Sequence, residues 1–215
     1  MNSQERNILQ DEAGARSYVE GWADKAAMER LDLFAKLLLK ENQRQNLISK
    51  PSESQLWLRH FADSAQLLEH VPRETLSAPK SDPWLDLGTG AGFPGIVIAA
   101  IHPNTPVVLV ESRQRRVEFL ANAAQEMALP KCMVIGERLE RIEPFHARVI
   151  SARAFAPLEK LLRLSAPFST KRTRYVLPKG RSAAQELAEQ KKSIRSMFHV
   201  EHSLTDSEAG IIVTK

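Results

Sequence analysis

Apolar positions along the 215-residue chain change their rhythm near residue 80. Before that point they recur at helical spacing. Ala27, Leu31, Phe34 and Leu38 form one stripe, and Trp57, Phe61 and Leu68 form another. Ser17-x-x-Glu20 and Ser52-x-x-Gln55 read as capping boxes, whose side chains satisfy free amides at helix starts. Pro72, Pro79 and Pro83 punctuate the exit. Residues 1–80 are therefore expected to form an N-terminal helical extension packed on a core built by residues 81–215.

From residue 83 short apolar strands alternate with amphipathic helices. Trp84–Leu87, Pro106–Glu111, Cys132–Ile135, Arg148–Ser151 and Arg174–Leu177 read as strands. Helices are predicted over 94–101, beginning at a proline suited to a first turn, and along Val117, Leu120, Ala124 and Met127. Two more are predicted near 157–166 and 182–196. The near-continuous apolar run of 106–111 suits a strand covered on both faces. This alternation predicts an α/β fold with a doubly wound, mostly parallel sheet. Two closing strands, near 197–203 and 210–214, have no helix between them and predict an antiparallel C-terminal hairpin. The sheet would then have seven strands.

Composition narrows the class only a little. The formal charge is +4 and the isoelectric point about 9.3, which permits a polyanionic partner without requiring one. Cys132 is the lone cysteine, so no internal disulfide can form, and a lone thiol suits a reducing, cytoplasmic setting. Residues 1–12 carry Glu5, Arg6, Asp11 and Glu12 and lack the long apolar core of a targeting segment. The strongest apolar stretch, 96–101, is too short to cross a bilayer, so no membrane association is expected.

The sharpest chemical signal is Asp86-Leu87-Gly88-Thr89-Gly90-Ala91-Gly92-Phe93-Pro94-Gly95, which follows a strand and opens a helix. Glycines there allow a tight turn and close approach of a ligand to the backbone. Gly90–Gly95 alone also fits a dinucleotide-binding loop. Asp86 argues against that reading, because a carboxylate beside a pyrophosphate sets anion against anion. The ammonium and sulfonium of S-adenosylmethionine would instead be attracted. Glu111 stands where a carboxylate can accept the ribose hydroxyls of an adenosine cofactor. The closing hairpin also favours the methyltransferase version of this fold over the dehydrogenase version.

Several chemistries lack their residues. No Asn-Pro-Pro-Tyr or Asp-Pro-Pro-Tyr motif follows the fourth strand. Cys132 sits inside a strand without a Pro-Cys context for covalent attack. His199-x-x-His202 lies on a strand, which does not align such a pair, so no metal site is expected. Instead the fourth strand runs into Ser151-Ala152-Arg153-Ala154-Phe155-Ala156-Pro157. Arg153 could aim its planar donors at a cofactor carboxylate, a phosphate or a base edge. Phe155 reads as core.

These residues together resemble the bacterial ribosomal RNA small subunit methyltransferase G family, also called glucose-inhibited division protein B. The resemblance covers the chain from about residue 40. It rests on Asn46-Leu47, Arg59-His60-Phe61-Ala62-Asp63-Ser64, the 86–95 loop, Arg115-Arg116-Val117-Glu118-Phe119-Leu120, Arg138-Leu139-Glu140, Ala152-Arg153-Ala154 and Lys179-Gly180. One departure is Glu41, where the family often carries tryptophan.

The resemblance implies a Rossmann-like class I methyltransferase that uses S-adenosylmethionine. Its substrate would be the N7 atom of a guanosine in the 530 loop of 16S rRNA. It implies that Gly88 and Phe93 line the cofactor site, with Leu139 and Glu140 at the adenine end and Arg153 also touching the cofactor; Asp86, Thr89, Gly90, Gly92 and Glu111 complete the expected site. Guanine N7 carries a lone pair and no proton, so neither nucleophile nor general base is expected. Arg153, Lys179 and His60 would orient RNA or cofactor. His60 is equally open to a structural role beside Asp63.

The RNA surface stays open among four basic groups: Arg113, Arg115 and Arg116; Lys171, Arg172 and Arg174; Lys179 and Arg181; and Lys191, Lys192 and Arg195. All four are expected to flank the active edge. The partner would be naked 16S rRNA, the small ribosomal subunit or its assembly intermediate, and the protein a monomer. Three other readings remain: an NAD-dependent dehydrogenase, a small-molecule methyltransferase, and a non-catalytic RNA-binding or assembly factor.

Overall fold

In a computed structural model, residues 8–77 and 82–215 are described; Glu5, Arg6 and Pro79 lie outside them. The helical region starts earlier than its sequence suggests. Helix α1 spans Glu12–Glu20 and is capped by Asp11, whose carboxylate accepts from the Gly14 amide. Helix α2 spans Lys25–Asn42 with Asp24 as its cap. The predicted box at Ser17 therefore does not form, because Ser17 lies within α1, past the first turn where amides lack partners.

The next segment changes helix type repeatedly. A 3-10 turn spans Lys50–Gln55, a π-helical turn spans Trp57–Ala62, α3 spans Asp63–Ala65 and a second 3-10 turn spans Gln66–His70. Helix α4 spans Arg73–Ser77. Ser52 caps nothing; its hydroxyl donates to the Ser49 carbonyl at 2.8 Å. Glu12 performs the capping instead, accepting from the amides of Trp57 at 2.9 Å and Leu58 at 2.8 Å. Glu12 thus couples α1 to the π turn, which carries the Arg59-His60 pair.

Seven strands follow: β1 (Trp84–Leu87), β2 (Val107–Val110), β3 (Cys132–Ile135), β4 (Val149–Ser151), β5 (Arg174–Gly180), β6 (Phe198–His202) and β7 (Gly210–Thr214). They form one sheet in the order β3-β2-β1-β4-β5-β7-β6. The first five are parallel, while β7 runs antiparallel to both β5 and β6. This is the predicted doubly wound sheet with its closing hairpin. Between strands lie α5 (Gly95–Ile101), α6 (Gln114–Glu126) and α7 (Leu158–Ser165), with α8 (Ala183–Ala188) and α9 (Lys192–Arg195) before the hairpin. The single helix predicted over 182–196 is thus two short ones. Pro94 precedes α5 as its cap residue instead of occupying its first turn.

Strand alternation divides the core into two layers. Trp84, Val107, Leu109, Val149 and Val176 face α2, α5, α6 and the helical region. Leu85, Leu87, Val108, Ile150 and Leu177 face the opposite layer with Leu158, Leu161 and Phe168. Phe34 of α2 packs against Phe61, Phe93 and Phe119 with ring centroids 5.6–6.1 Å apart. The helical region and the sheet therefore share one apolar cluster.

Asp86 shares the face of Trp84, so its carboxylate enters the first layer beneath α5. Gly95 makes that approach possible. A Cβ there would lie 2.3 Å from Leu109 Cδ2 and 2.8 Å from Asp86 Cβ. Gly95→Ala is expected to destabilise the protein by about 1–3 kcal/mol through overpacking. A urea-unfolding midpoint equal to the parent's would contradict this packing.

Candidate active site

In parallel α/β sheets ligands bind beyond the carboxyl ends of the strands. Here that edge presents the 88–95 loop after β1, Glu111 after β2, residues 136–140 after β3 and the 152–157 loop after β4. Gly180 ends β5 on the same side.

The structure corrects the expected role of Asp86. It has no exposed surface. Oδ2 accepts from the Gly95 amide at 2.9 Å and Oδ1 from the Ser151 hydroxyl at 2.7 Å. Ser151 Oγ in turn accepts from Trp84 Nε1 at 2.8 Å. Asp86 therefore shapes the loop from below, with both oxygens engaged by protein groups. Burial pushes its pKa up, opposed by the Thr89 and Ser151 hydroxyls, the Gly95 amide and the Arg153 charge. Thr89 Oγ1 lies close enough to favour ionised Asp86, yet it is buried without a partner of hydrogen-bonding geometry.

Gly92 and Phe93 also move from ligand contact to support. A Cβ on Gly92 would meet Ile96 at 2.7 Å. Phe93 is 1% exposed and stacks on His60 with centroids 4.8 Å apart. Gly90 remains open to a ligand. Its φ is +61°, which favours glycine, and the nearest atom to an added Cβ would be Arg116 Nη1 at 3.6 Å. At Gly88 the same position lies 2.6 Å from Phe155. Phe155 is thus only partly buried and covers the loop.

Glu111 is buried at the end of β2. Its Oε1 accepts from the Ser112 and Arg113 amides at 2.8 and 2.9 Å. Its Oε2 lies 3.6 Å from Arg116 Nη1, leaving that oxygen for hydroxyl donors. Arg116 is consequently a partner of Glu111, not a free RNA contact. Leu139 is buried in a 3-10 turn, Leu139–Arg141, and Glu140 is exposed beside it.

A separate cavity of about 770 Å³ opens past Arg153. Its walls come from the π turn, the 152–157 loop, the end of β5 and the β6–β7 connection, with His60, Asp63, Arg153, Lys179 and Thr205 among them. Arg153 stands at the junction. Its guanidinium carbon is 5.1 Å from the centroid of the Phe93 ring. Nη1 reaches Asp63 Oδ2 and the Arg59 carbonyl, both at 3.3 Å, and Nη2 reaches His60 Nδ1 at 3.3 Å.

A guanidinium only donates, so His60 Nδ1 accepts and the ring proton sits on Nε2. Nε2–H then donates to Ser52 Oγ at 3.0 Å. Burial, with the charges of Arg153 and Arg59, lowers the His60 pKa to about 3.

Lys179 is also committed. Nζ donates to the Ala156 carbonyl at 2.6 Å and pairs with Glu186 at 3.0 Å. Glu186 also accepts from the Leu158 amide at 3.0 Å. Lys179 therefore pins the 152–157 loop and does not reach outward to RNA. Within that loop Ala154 holds φ of +53°, a conformation costly for alanine.

Sequence reasoning missed Gln66, which is 1% exposed. It accepts from the Leu204 amide at 2.7 Å and donates to Asp63 Oδ1 at 2.9 Å. Thr205 Oγ1 donates to that same oxygen at 2.9 Å. These bonds bring the β6–β7 connection against the Arg-His-x-x-Asp element, across 142 residues of sequence. No local pattern signals such a pairing.

Comparison with known proteins decides the family. The family model described as rRNA small subunit methyltransferase G matches residues 27–210. The chain belongs to that family. Among curated relatives, Ribosomal RNA small subunit methyltransferase G of Erythrobacter litoralis is 55% identical over 206 residues, covering 96% of this chain and 97% of the relative. Its namesake in Novosphingobium aromaticivorans is 54% identical, covering 88% and 81%.

Solved structures show the same fold at low identity. A fibrillarin/Nop5p complex aligns with a TM-score of 0.54 and 14% identity over 73% of this chain and 81% of that one. A mutant of MtNAS in complex with S-adenosylmethionine gives 0.51 and 17% over 95% and 84%. The family excludes the dehydrogenase reading. Among the described residues no helix is long and apolar enough to cross a membrane.

The low pKa of His60 has a consequence for stability. Its ordinary value is 6.5 and its folded value about 3. As pH falls through this window the unfolded chain takes up the proton first, so stability falls with it. The expected slope is about 1.4 kcal/mol per pH unit between the two values. Urea unfolding at pH 4, 5 and 6 should show this slope in the parent and its reduction in His60→Gln. Equal slopes would mean that His60 titrates normally.

Proposed function

We propose that this methyltransferase places its methyl group on N7 of a guanosine in the 530 loop of 16S rRNA. The observation that carries the reading is the Arg153 junction. One guanidinium spans the boundary between the glycine loop and the cavity, held by Asp63, His60 and the Arg59 carbonyl.

The residues at the glycine loop fit S-adenosylmethionine. Gly90 lets a ligand approach the backbone, Glu111 keeps Oε2 for hydroxyl donors, and the buried Thr89 hydroxyl has an unused bond. Leu139 and Glu140 stand at the same edge for the adenine end. When bound, the cofactor supplies an electrophilic methyl group on a sulfonium.

The chain's own residues do the positioning. Lys179 and Glu186 fix the 152–157 loop, which sets Arg153 and holds Phe155 over Gly88. Aligning a nucleophile with its target can contribute about 7–11 kcal/mol in well-oriented cases. The cavity supports a reaction without a general base. His60 uses both ring nitrogens, and Asp63 and Glu186 accept donors on both oxygens. Guanine N7 suits such a cavity because it bears a lone pair and no proton.

In this reading residues 1–80 form the helical extension that supplies one cavity wall, and residues 81–215 form the cofactor-binding unit. The protein works as a cytoplasmic monomer on the small ribosomal subunit, its rRNA or an assembly intermediate.

Labelled methyl incorporation into small-subunit rRNA, mapped by cleavage at 7-methylguanosine, tests the site of transfer. A single cleavage in the 530 loop is expected. Label on another atom or another RNA would defeat the proposal. Glu111→Gln keeps a carbonyl for the Ser112 and Arg113 amides but loses the charge beside the ribose. It should weaken S-adenosylhomocysteine binding about tenfold, about 1.4 kcal/mol, as read by calorimetry. Parent-like affinity would remove Glu111 from the cofactor site.

A further inference from the structure

Two of the four basic groups expected at the active edge lie at the opposite one. Lys171 and Arg172 precede β5, and Lys192 and Arg195 precede β6, whereas β5 reaches the cavity only at its C-terminal end, Pro178–Gly180. Seven residues of β5 separate the edges, about 20 Å at about 3.3 Å per residue.

The far-edge segments join in space. The Arg174 amide donates to the Arg148 carbonyl at 2.9 Å, and the Ala147 amide to the Phe168 carbonyl at 2.8 Å. Arg174 Nη1 reaches the Thr214 carbonyl at 3.2 Å, and Thr214 pairs with Phe198. Residues 144–149, 163–175 and 190–199 hold eight lysines and arginines and no aspartate or glutamate.

Charge pairing differs sharply between the edges. At the active edge Arg59, Arg116, Arg153, Lys179 and Arg181 each face a carboxylate within 4.0 Å. Such pairs project little net field. Among the described residues, none of the eight far-edge cations stands in an ion pair. Lys171, Arg172, Lys192 and Arg195 are exposed. The uncompensated positive charge is therefore concentrated away from the cavity, save for Arg113, Arg115 and Arg138.

We propose that this far edge is a second RNA-binding surface, which grips phosphate backbone of the same ribosomal RNA whose guanosine enters the cavity. The inference rests on the rRNA reading above and adds a size requirement to it. A short hairpin seated at the cavity does not extend around the sheet, whereas a folded rRNA domain does. Backbone contacts of this kind fix register and add affinity without reading sequence.

The test is the quadruple variant Lys171→Gln, Arg172→Gln, Lys192→Gln, Arg195→Gln in the full chain. Filter binding to a small-subunit rRNA transcript should weaken at least tenfold at about 0.15 M salt. The log-log salt slope should shrink by about 3, from about 0.7–0.9 per lost contact. Binding of a short 530-loop hairpin, S-adenosylhomocysteine affinity and the melting temperature should match the parent. KM on the transcript should rise while kcat holds.

Transcript affinity and salt slope equal to the parent's would overturn the proposal, as would equal losses on hairpin and transcript. The binding arms need no methyl transfer. They therefore stand if 7-methylguanosine fails to appear, which would count against the proposed reaction alone.

Discussion

The site hangs on a carboxylate with no exposed surface. Asp86 binds the Gly95 amide at the start of α5 and the Ser151 hydroxyl at the end of β4, and Ser151 is anchored by Trp84. One buried side chain thereby fixes the glycine loop relative to both neighbouring strands. An unsatisfied charge at that depth would be very costly. Four groups answer it at once: the Thr89 and Ser151 hydroxyls, the Gly95 amide and, at longer range, the Arg153 charge. The loop is rigid from below, so the cofactor side needs only small residues above.

The sheet was legible because its strands and helices repeat a strong alternation of patterns. Even the hairpin could be read, since no helix fits between 203 and 210. Asp86 shows why the site was harder. Its position before the glycines suggested a ligand contact, but β1 extends through Leu87, and alternation puts Asp86 on the face of Trp84. Reading the strand's period through the motif would have turned the carboxylate inward. The Ser17 and Ser52 boxes misled for another reason. Asp11, Asp24 and Glu12 satisfy the amides there, and Glu12 does so from 45 residues away.

Lys179 and His60 both line the cavity. Both were expected to orient RNA or cofactor. Each instead has its polar atoms engaged by protein groups: Lys179 by Ala156 and Glu186, His60 by Ser52 and Arg153. A sequence shows that a cation is present and cannot show whether a carboxylate has already claimed it. The far edge is the converse case. Its segments are separated along the chain, and only the sheet order brings them together.

The neutral histidine ties these threads to mechanism. A cavity that must transfer a proton would gain from a group titrating near working pH. His60 is driven the other way, by burial and by two arginines. It stacks on Phe93 while Arg153 lies near the same ring. The ring, the imidazole and the guanidinium form a stiff unit with every polar atom of His60 used. Such a unit suits holding a nucleophile that already carries its lone pair. It would serve poorly for an amino or hydroxyl group that must shed a proton, and that asymmetry supports the proposed guanine N7 acceptor.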